Sequence, residues 1–284
     1  MLCACVDIGT NTTRVLVADA EGGRLTEVLQ QRVFTRIGIG PEIPADKIAL
    51  VSRVVAEQVE LAREAGAGER VRVVATAAIR TAVNREAFLA GMSVGVEILD
   101  ESEEARLAFV GATETLGREL HGAVAVVDVG GGSTEIAVGT VEDGMRWSSS
   151  FLVGSGVLAD RYLRSDPPTG DELRRAREHA SDVLATREVP AIDCAVAVGG
   201  SAASLRRVVG ESLEPHSLVH ALGLLCVSHA GEVAARFALD PLRVRLLPAG
   251  IIILDAAARR LGQPLQIGRG GLREGVLLDM ARRV

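Results

Sequence analysis

Two stretches of the sequence place a carboxylate directly before a turn between apolar runs. The stretch VVDVGGGSTEIAVG (126–139) contains Asp128, a glycine-rich turn and then Glu135. Strand interiors disfavour Gly and Asp, so a buried strand is expected to open at this point. Glycine permits the positive φ angles of tight turns, and consecutive backbone N–H groups in a turn bind anions. The pattern therefore predicts a phosphate-binding turn, with contacts from Gly130, Gly131, Gly132 and the hydroxyl-bearing Ser133 and Thr134.

The N-terminal stretch VDIGTNTTRVLVA (6–18) aligns without a gap on VDVGGGSTEIAVG (127–139), so that Asp7 corresponds to Asp128. Two copies of strand, tight turn and strand indicate a duplicated α/β domain, although generic hairpin chemistry could also produce one such turn. The first turn adds Gly9, Thr10 and Asn11 as phosphate contacts.

The carboxylates of the two copies are candidate metal ligands. Asp7, Asp128 and Glu135 supply oxygen ligands of the kind that Mg²⁺ prefers, and they predict a magnesium site. The alternative is a pair of solvent-exposed hairpins whose carboxylates bind nothing.

Two other features have competing interpretations, and one phosphate-binding motif is excluded. GGSAASL (199–205), with Gly200 and Ser201, is either a second anion-binding helix N-terminus or an ordinary strand-to-helix turn. His216 and His220 have the spacing of a metal pair, but no third ligand is apparent, and a helix surface explains them better. A Walker A loop is excluded at the glycine turns, because the only lysine of the chain is Lys47.

Hydrophobic periodicity predicts the elements that must position these groups. Strands are expected at 3–8, 13–19, 24–32, 71–76, 94–99, 145–153, 195–198 and 265–268. Helices are expected at 46–65, 84–92, 100–115, 156–164, 169–186, 248–261 and 271–283, with further helix over 217–237. Asp100 is the predicted N-cap of the third helix, with Glu103 at the capping-box position. The boundary between the duplicated domains is expected at 117–122.

Composition limits the function classes. The 284 residues suffice for one large or two medium domains, and the net charge of −6 argues against a nucleic-acid partner. No apolar run reaches the roughly 18 residues of a membrane span, and the N-terminus MLCACVDIGT lacks the basic start of a signal peptide. Four cysteines do not form a disulfide framework, so a cytoplasmic location is expected. Five Phe, one Trp and one Tyr leave few platforms for stacking nucleobases.

Six segments, taken in chain order, resemble the exopolyphosphatase and guanosine pentaphosphate phosphatase family, within the superfamily of sugar kinases, actin and heat-shock chaperone ATPases. They are VDIGTNTTRVLV, VVATAAIRTAVNREAFL, EILDESEEARLAFVGA, VVDVGGGSTEIAVG, LLPAGIIILDA and GGLREGVLLDM. Thr10 stands where the family more often has Ser, and Asp100 where Gly is frequent. The resemblance implies an α/β fold of two ribonuclease-H-like (actin-like ATPase) domains around a central cleft. The domains would be 1–120, joined by the last helix at about 271–284, and 121–270.

The resemblance also implies roles for two residues outside the turns. Glu104, the second Glu of the Glu-Glu-Ala-Arg segment, would be the general base, and Arg80 would contact phosphate. From the residues alone, Glu103 and Glu104 are better explained as acids at a helix start that pair with Arg106.

The expected function is Mg²⁺-dependent hydrolysis of the terminal phosphoanhydride of inorganic polyphosphate. Shorter chains should be favoured, because the sequence ends directly after GGLREGVLLDMARRV without the additional helical region of longer family members. The alternatives are a guanosine pentaphosphate phosphatase, a small-molecule kinase and an actin-like nucleotide-binding scaffold. A homodimer is a candidate assembly, although the sequence does not determine the oligomeric state.

Overall fold

The computed structural model describes residues 1–38 and 40–283, which divide into two compact units. The first unit comprises Met1–Gly117 and the segment that begins at Gly270, and the second comprises Arg118–Arg269. Each unit is built around its own β-sheet.

The sheet of the first unit has five strands in the order β3-β2-β1-β4-β5. The strands are β1 (Leu2–Ile8), β2 (Thr13–Glu21), β3 (Arg24–Val33), β4 (Val71–Ala75) and β5 (Glu97–Ile98). The helices of this part of the chain are α1 (Ala45–Ala62), α2 (Ala77–Arg80), α3 (Arg85–Ala90) and α4 (Glu101–Glu114), and a π-type turn (Arg63–Ala67) follows α1. The first three strands form an antiparallel meander, whereas β4 and β5 run parallel to β1. This is the strand order of a ribonuclease-H-like domain.

The second unit repeats this arrangement and adds one strand, in the order β10-β11-β9-β6-β7-β8. Its strands are β6 (Val124–Val129), β7 (Thr134–Thr140), β8 (Gly144–Phe151), β9 (Cys194–Val198), β10 (Ser212–Leu213) and β11 (Leu265–Ile267). Its helices are α5 (Ser155–Tyr162), α6 (Gly170–Leu184), α7 (Gly199–Val209), α8 (Pro215–Leu225), α9 (Ala230–Phe237) and α10 (Pro241–Leu261). Strands β6–β8 form the antiparallel meander, and β9 and β11 continue the sheet in parallel. The α/β class and the two ribonuclease-H-like domains expected from the sequence are confirmed.

Alternation along β1 separates two cores on opposite faces of the first sheet. Ala4, Val6 and Ile8 pack with apolar residues of α1, whereas Cys3 and Cys5 pack in a second cluster with residues of α4. Successive side chains of a strand point to opposite faces, so a strand covered on both sides is apolar throughout. The two cysteines are thus buried core residues.

The last helix, α11 (Leu272–Arg282), packs against α4, β1 and β2 of the first unit. Helices α11 and α4 approach closely because a glycine of each one faces the backbone of the other segment. A Cβ atom at Gly275 would collide with the carbonyl of Leu107, and one at Gly111 would collide with the carbonyl of Gly271. Side chains at these two positions would push the helices apart.

Asp279 of α11 reinforces this contact with ion pairs. Its carboxylate accepts hydrogen bonds from Arg72 of β4 at 3.2 Å and from Arg106 of α4 at 2.9 Å, and Arg283 lies 2.8 Å away. Arg106 also donates twice to Glu103, at 2.7 and 2.8 Å. The start of α4 is therefore tied to α11 and to the sheet.

Two predicted helices differ from the structure. The segment 217–237 is two helices, α8 and α9, with a bend of 118° between them. The helix predicted at 248–261 begins earlier, at Pro241, because the side chain of Asp240 caps it by accepting from the backbone N–H of Leu242 at 2.8 Å. Proline is favoured in the first turn of a helix, and Pro241 occupies that position in α10. Pro248 lies in the interior of the same helix.

Some shorter elements also differ. The strand predicted at 94–99 is the two-residue β5, and α2 and β10 were not predicted. Among the described residues, no single helix has both the length and the apolar composition needed to cross a membrane, and only the bent pair of α8 and α9 meets that test when the two are taken together.

Candidate functional site

Each unit carries one candidate site, and in the first unit it lies at one edge of the sheet. Ile8 at the end of β1 pairs with Ala75 at the end of β4, and Ala75 pairs with Ile98 at the end of β5. The turn after β1, the helix after β4 and the helix after β5 therefore begin at the same edge. The carboxyl ends of parallel strands are where open α/β sheets bind ligands.

The turn of residues 9–12 joins β1 to β2 and contains the predicted phosphate contacts Gly9, Thr10 and Asn11. The backbone N–H of Gly9 donates to the carbonyl of Thr12 at 3.0 Å. The carbonyl of Asn11 accepts from the N–H of Arg36 at 3.0 Å, and the carbonyl of Thr10 accepts from the N–H of Gly38 at 3.2 Å. The segment after β3 thus holds the turn in place through its carbonyl groups.

Arg80 and Glu104, the two residues singled out by the family resemblance, are in direct contact. Nη1 of Arg80, at the end of α2, donates to Oε2 of Glu104 at 2.6 Å and to the carbonyl of Leu99 at 2.9 Å. The side chains are 15% and 11% exposed, so the ion pair is largely shielded from water. The structure brings the predicted base and the predicted phosphate ligand together.

Helix α4 begins as predicted, and this start positions Glu104. The side chain of Asp100 accepts from the backbone N–H of Glu103 at 2.8 Å, and the N–H of Glu104 donates to the carbonyl of Asp100 at 3.0 Å. Glu103 faces Arg106, whereas Glu104 faces Arg80. The alternative explanation, an acid pairing with Arg106, therefore applies to Glu103, whereas Glu104 pairs with a different arginine.

Asp7 lies in an environment that differs from that of its counterpart Asp128. In the β1–β2 register Asp7 is opposite Arg14, whereas in the β6–β7 register Asp128 is opposite Glu135. Burial raises the pKa of Asp7, and the guanidinium groups of Arg14 and Arg273 oppose this rise. The first copy thus pairs a carboxylate with a guanidinium, and the second pairs two carboxylates.

In the second unit, the start of α5 orders the glycine turn between β6 and β7. The N–H of Ser155 donates to the carbonyl of Gly130 at 2.9 Å, and the N–H of Gly156 donates to the carbonyl of Gly131 at 2.9 Å. A Cβ atom at Gly154 would collide with the backbone of Gly131, so this close approach requires glycine. The carbonyl groups of the turn face α5.

The amide N–H groups of the same turn make fewer hydrogen bonds than its carbonyl groups. The N–H of Gly130 donates to the carbonyl of Ser133 at 3.0 Å, but within residues 1–38 and 40–283 the N–H groups of Gly131 and Gly132 have no acceptor. Unpaired amides of a tight turn are the donors that an anion-binding nest requires.

The two hydroxyl residues at the end of this turn are buried. Ser133 is 3% exposed, and the hydroxyl of Thr134 donates to the carbonyl of Val153 at 2.5 Å. Thr134 therefore uses its single proton within the fold, and it would have to rotate to donate to a phosphate.

Asp128 and Glu135 are cross-strand neighbours on one face of the second sheet. Glu135 is buried, and its Oε1 accepts from the hydroxyl of Ser150 at 2.9 Å. A Cβ atom at Gly199, where φ is +88°, would come within 2.6 Å of Oδ1 of Asp128. Asp128 therefore lies against the start of α7, which only a glycine allows.

This donor set fits Mg²⁺, which is commonly held by one or two carboxylates with water and substrate phosphates completing its octahedron. In the described part of the chain, no group of three or more His, Cys, Asp and Glu side chains could hold a metal ion. His216 and His220 are both exposed on α8. An all-protein metal cage is therefore not formed by the described residues of either unit.

Gly200 and Ser201 lie in the first turn of α7. Ser201 is fully buried, and its side chain contacts Gly250 of α10. Its hydroxyl has no hydrogen-bond partner among the residues described. The side chain of Ser201 is directed into the second unit, so a phosphate contact there would require a backbone amide.

Arg14 and Arg273 are charged neighbours of Asp7 that the sequence reasoning did not select. For Arg14 a signal existed, because in the gapless alignment of 6–18 on 127–139 it corresponds to Glu135, the candidate metal ligand of the second copy. Arg273 belongs to α11, which is distant in sequence, and only the fold brings it near β1.

The comparisons with known proteins agree with this architecture. Residues 15–284 match the Ppx/GppA phosphatase family. The chain is similar to exopolyphosphatase 2 of Mycobacterium tuberculosis, with 31% identity across 98% of both chains, and to exopolyphosphatase 1 of Mycobacterium leprae, with 27% identity across 96% of this chain and 87% of the relative. The crystal structure of a family member from Aquifex aeolicus superposes with a TM-score of 0.81 at 29% identity, covering 100% of this chain and 98% of the other. The chain therefore belongs to the Ppx/GppA phosphatase family.

Proposed function

We propose that the protein is an exopolyphosphatase, which releases terminal phosphate from inorganic polyphosphate. The observation that carries the proposal is the contact of Arg80 with Glu104 at the sheet edge that also holds the turn of residues 9–12. A carboxylate able to accept a proton and a guanidinium suited to phosphate lie within hydrogen-bonding distance. The two relatives described above are of similar length and are named exopolyphosphatases, which favours polyphosphate as the substrate.

In the proposed reaction, Glu104 takes a proton from a water molecule whose oxygen forms a bond to the terminal phosphorus. The bond from that phosphorus to the bridging oxygen breaks, and the electron pair leaves on the shortened polyphosphate. Arg80 binds the terminal phosphate. Positioning and electrostatic stabilisation supply most of the catalysis in phosphoryl transfer.

We propose that Asp128 and Glu135 hold Mg²⁺. When bound, the ion would neutralise negative charge on the phosphate oxygens. Asp7 is the remaining carboxylate of the two motifs, but it faces Arg14, and we therefore leave it outside the proposed ligand set.

The cytoplasm is the proposed compartment, because all four cysteines are free thiols. A homodimer stays a prediction, to be tested by light scattering of the purified chain.

The test is phosphate release from polyphosphate, ATP and guanosine pentaphosphate side by side, with and without Mg²⁺. We expect Mg²⁺-dependent release from polyphosphate, much weaker turnover of ATP, and higher efficiency on short polyphosphate, because the net charge of −6 repels a long polyanion. Faster hydrolysis of ATP would overturn the proposal, and preference for guanosine pentaphosphate would assign the chain to the other activity of its family.

A further inference from the structure

We propose that Arg80 is exchanged between Glu104 and the substrate. In the resting protein the guanidinium holds the Glu104 carboxylate, and a bound terminal phosphate draws the guanidinium away. Glu104 then becomes available as a proton acceptor only when the substrate is in place. The inference rests on the proposed function, because it assigns a control step to the same two residues.

The contact between Arg80 and Glu104 is short and largely shielded from water. The distance of 2.6 Å between Nη1 of Arg80 and Oε2 of Glu104 is short for a charge-assisted hydrogen bond, and both side chains are largely buried. A neighbouring positive charge stabilises the charged form of a carboxylate, and a carboxylate stabilised in this way is a poor proton acceptor. Proton transfer to Glu104 therefore requires this contact to weaken.

The guanidinium of Arg80 is incompletely satisfied in the resting arrangement. A guanidinium has five N–H donors. Nη1 contacts Leu99 and Glu104, whereas Nε is buried and has no hydrogen-bond partner among the described residues. Nη2 lies 4.0 Å from the carboxylate of Glu101, which is beyond hydrogen-bonding distance.

A phosphate would satisfy these donors better than Glu104 does. Guanidinium binds phosphate through two parallel N–H···O bonds, whereas Glu104 receives one bond from Arg80. Movement of the guanidinium towards phosphate would give Nε an acceptor. The exchange therefore replaces one hydrogen bond donated by Arg80 with two, which gives substrate binding a driving force.

Exchange predicts that Glu104 and the substrate compete for Arg80. The probe is methylenediphosphonate, a phosphate-chain analogue with a carbon bridge that is not hydrolysed, and binding is measured by calorimetry at constant Mg²⁺ and ionic strength. Glu104→Gln should bind the probe about tenfold more tightly than the unmodified protein, which is within the range of a charged hydrogen bond. In the Arg80→Ala background, the same Glu104→Gln change should not increase the affinity for the probe.

Glu101→Gln is the matched control. It removes an acidic charge from the same turn of α4, but Glu101 is 60% exposed and makes no hydrogen bond to Arg80. Its effect on binding should be below about twofold, since exposed charge pairs contribute little. If Arg80→Ala does not fold, Arg80→Lys replaces it as the background. Lysine lacks the two-pronged donor, so Glu104→Gln should increase the affinity for the probe by less in this background than in the unmodified protein.

Four results would overturn the exchange. Unchanged affinity in Glu104→Gln would mean that Arg80 never leaves Glu104. A gain that persists in Arg80→Ala, or that Glu101→Gln reproduces, would mean that only negative charge was removed. Absence of probe binding by the unmodified protein would overturn the proposed function as well, so the two failures are distinguishable.

Discussion

Replacement of Asp279 by Asn should destabilise the first unit. Asp279 joins α11 to β4 through Arg72 and to α4 through Arg106, and its side chain is only 13% exposed. Asparagine has nearly the same shape but no charge, and its amide N–H groups cannot accept from a guanidinium. The change therefore removes ion pairs from the contact that holds the start of α4.

The magnitude follows from what the arginines retain. Arg72 keeps a two-pronged contact with Glu97 at 2.8 and 2.9 Å, and Arg106 keeps Glu103, so neither guanidinium is left without a carboxylate. Breaking a buried ion pair costs about 3–5 kcal/mol, and exposed pairs contribute about 0–1 kcal/mol. We expect an intermediate loss of about 2 kcal/mol in the free energy of unfolding.

Urea unfolding of the full chain measures this loss, and hydrogen exchange within α11 shows where it occurs. Asp171→Asn is the matched control, because Asp171 also contacts two arginines, Arg174 and Arg175, but is 62% exposed. The control should lose much less stability than Asp279→Asn, because exposed charge pairs contribute little.

The pH dependence provides a second check. Burial acts to raise the pKa of Asp279, but the surrounding arginines, Arg106 first, lower it below its ordinary value. Because the pKa is lowered in the folded protein, the stabilisation is present above the ordinary carboxyl pKa of about 4 and is lost as pH falls through the native value. The difference between the two proteins should therefore shrink below about pH 4. A loss no larger than that of Asp171→Asn, or a difference that persists at lower pH, would refute the reasoning.

Three further changes test other parts of the molecule. Glu104→Gln should lower kcat at least about a hundredfold, and near-normal turnover in a folded variant would remove Glu104 as the base. Asp128→Asn should weaken Mg²⁺ binding in calorimetry and raise the Mg²⁺ concentration needed for activity, and an unchanged titration would remove it from the metal site. Burial acts to raise the pKa of Glu172, but backbone N–H groups of Thr169, Ser165 and Arg164 hold it at about 2. Glu172→Gln should therefore be less stable than the unmodified protein at neutral pH, with a gap that closes only as pH falls towards 2; an equal stability at pH 7 would contradict this.

Local chemistry explains what the sequence predicted well. The strand-turn-strand units at 6–18 and 127–139 depend on Asp and Gly at turn positions, and the N-cap at Asp100 depends on contacts within four residues. Both kinds of signal are contained in short segments. The ribonuclease-H-like fold of each unit followed from the repeat and from the family resemblance.

Features that depend on distant contacts were not predictable. Arg80 and Glu104 are 24 residues apart, and no pattern along the chain indicates that one donates to the other. The separation of α8 from α9 is likewise not marked by proline in the residues 226–229 that join them. Both helices pack against α10, and such tertiary contacts override local propensity.

The position of α11 has a consequence for synthesis of the chain. The second unit is continuous from Arg118 to Arg269, so all of it can emerge from the ribosome and fold while translation continues. The first unit is begun first but lacks its partner for Gly111 and Leu107 until residues beyond Gly270 have been made. Strands β1 and β2 must therefore wait for α11, and in the interim the apolar face that α11 covers is exposed.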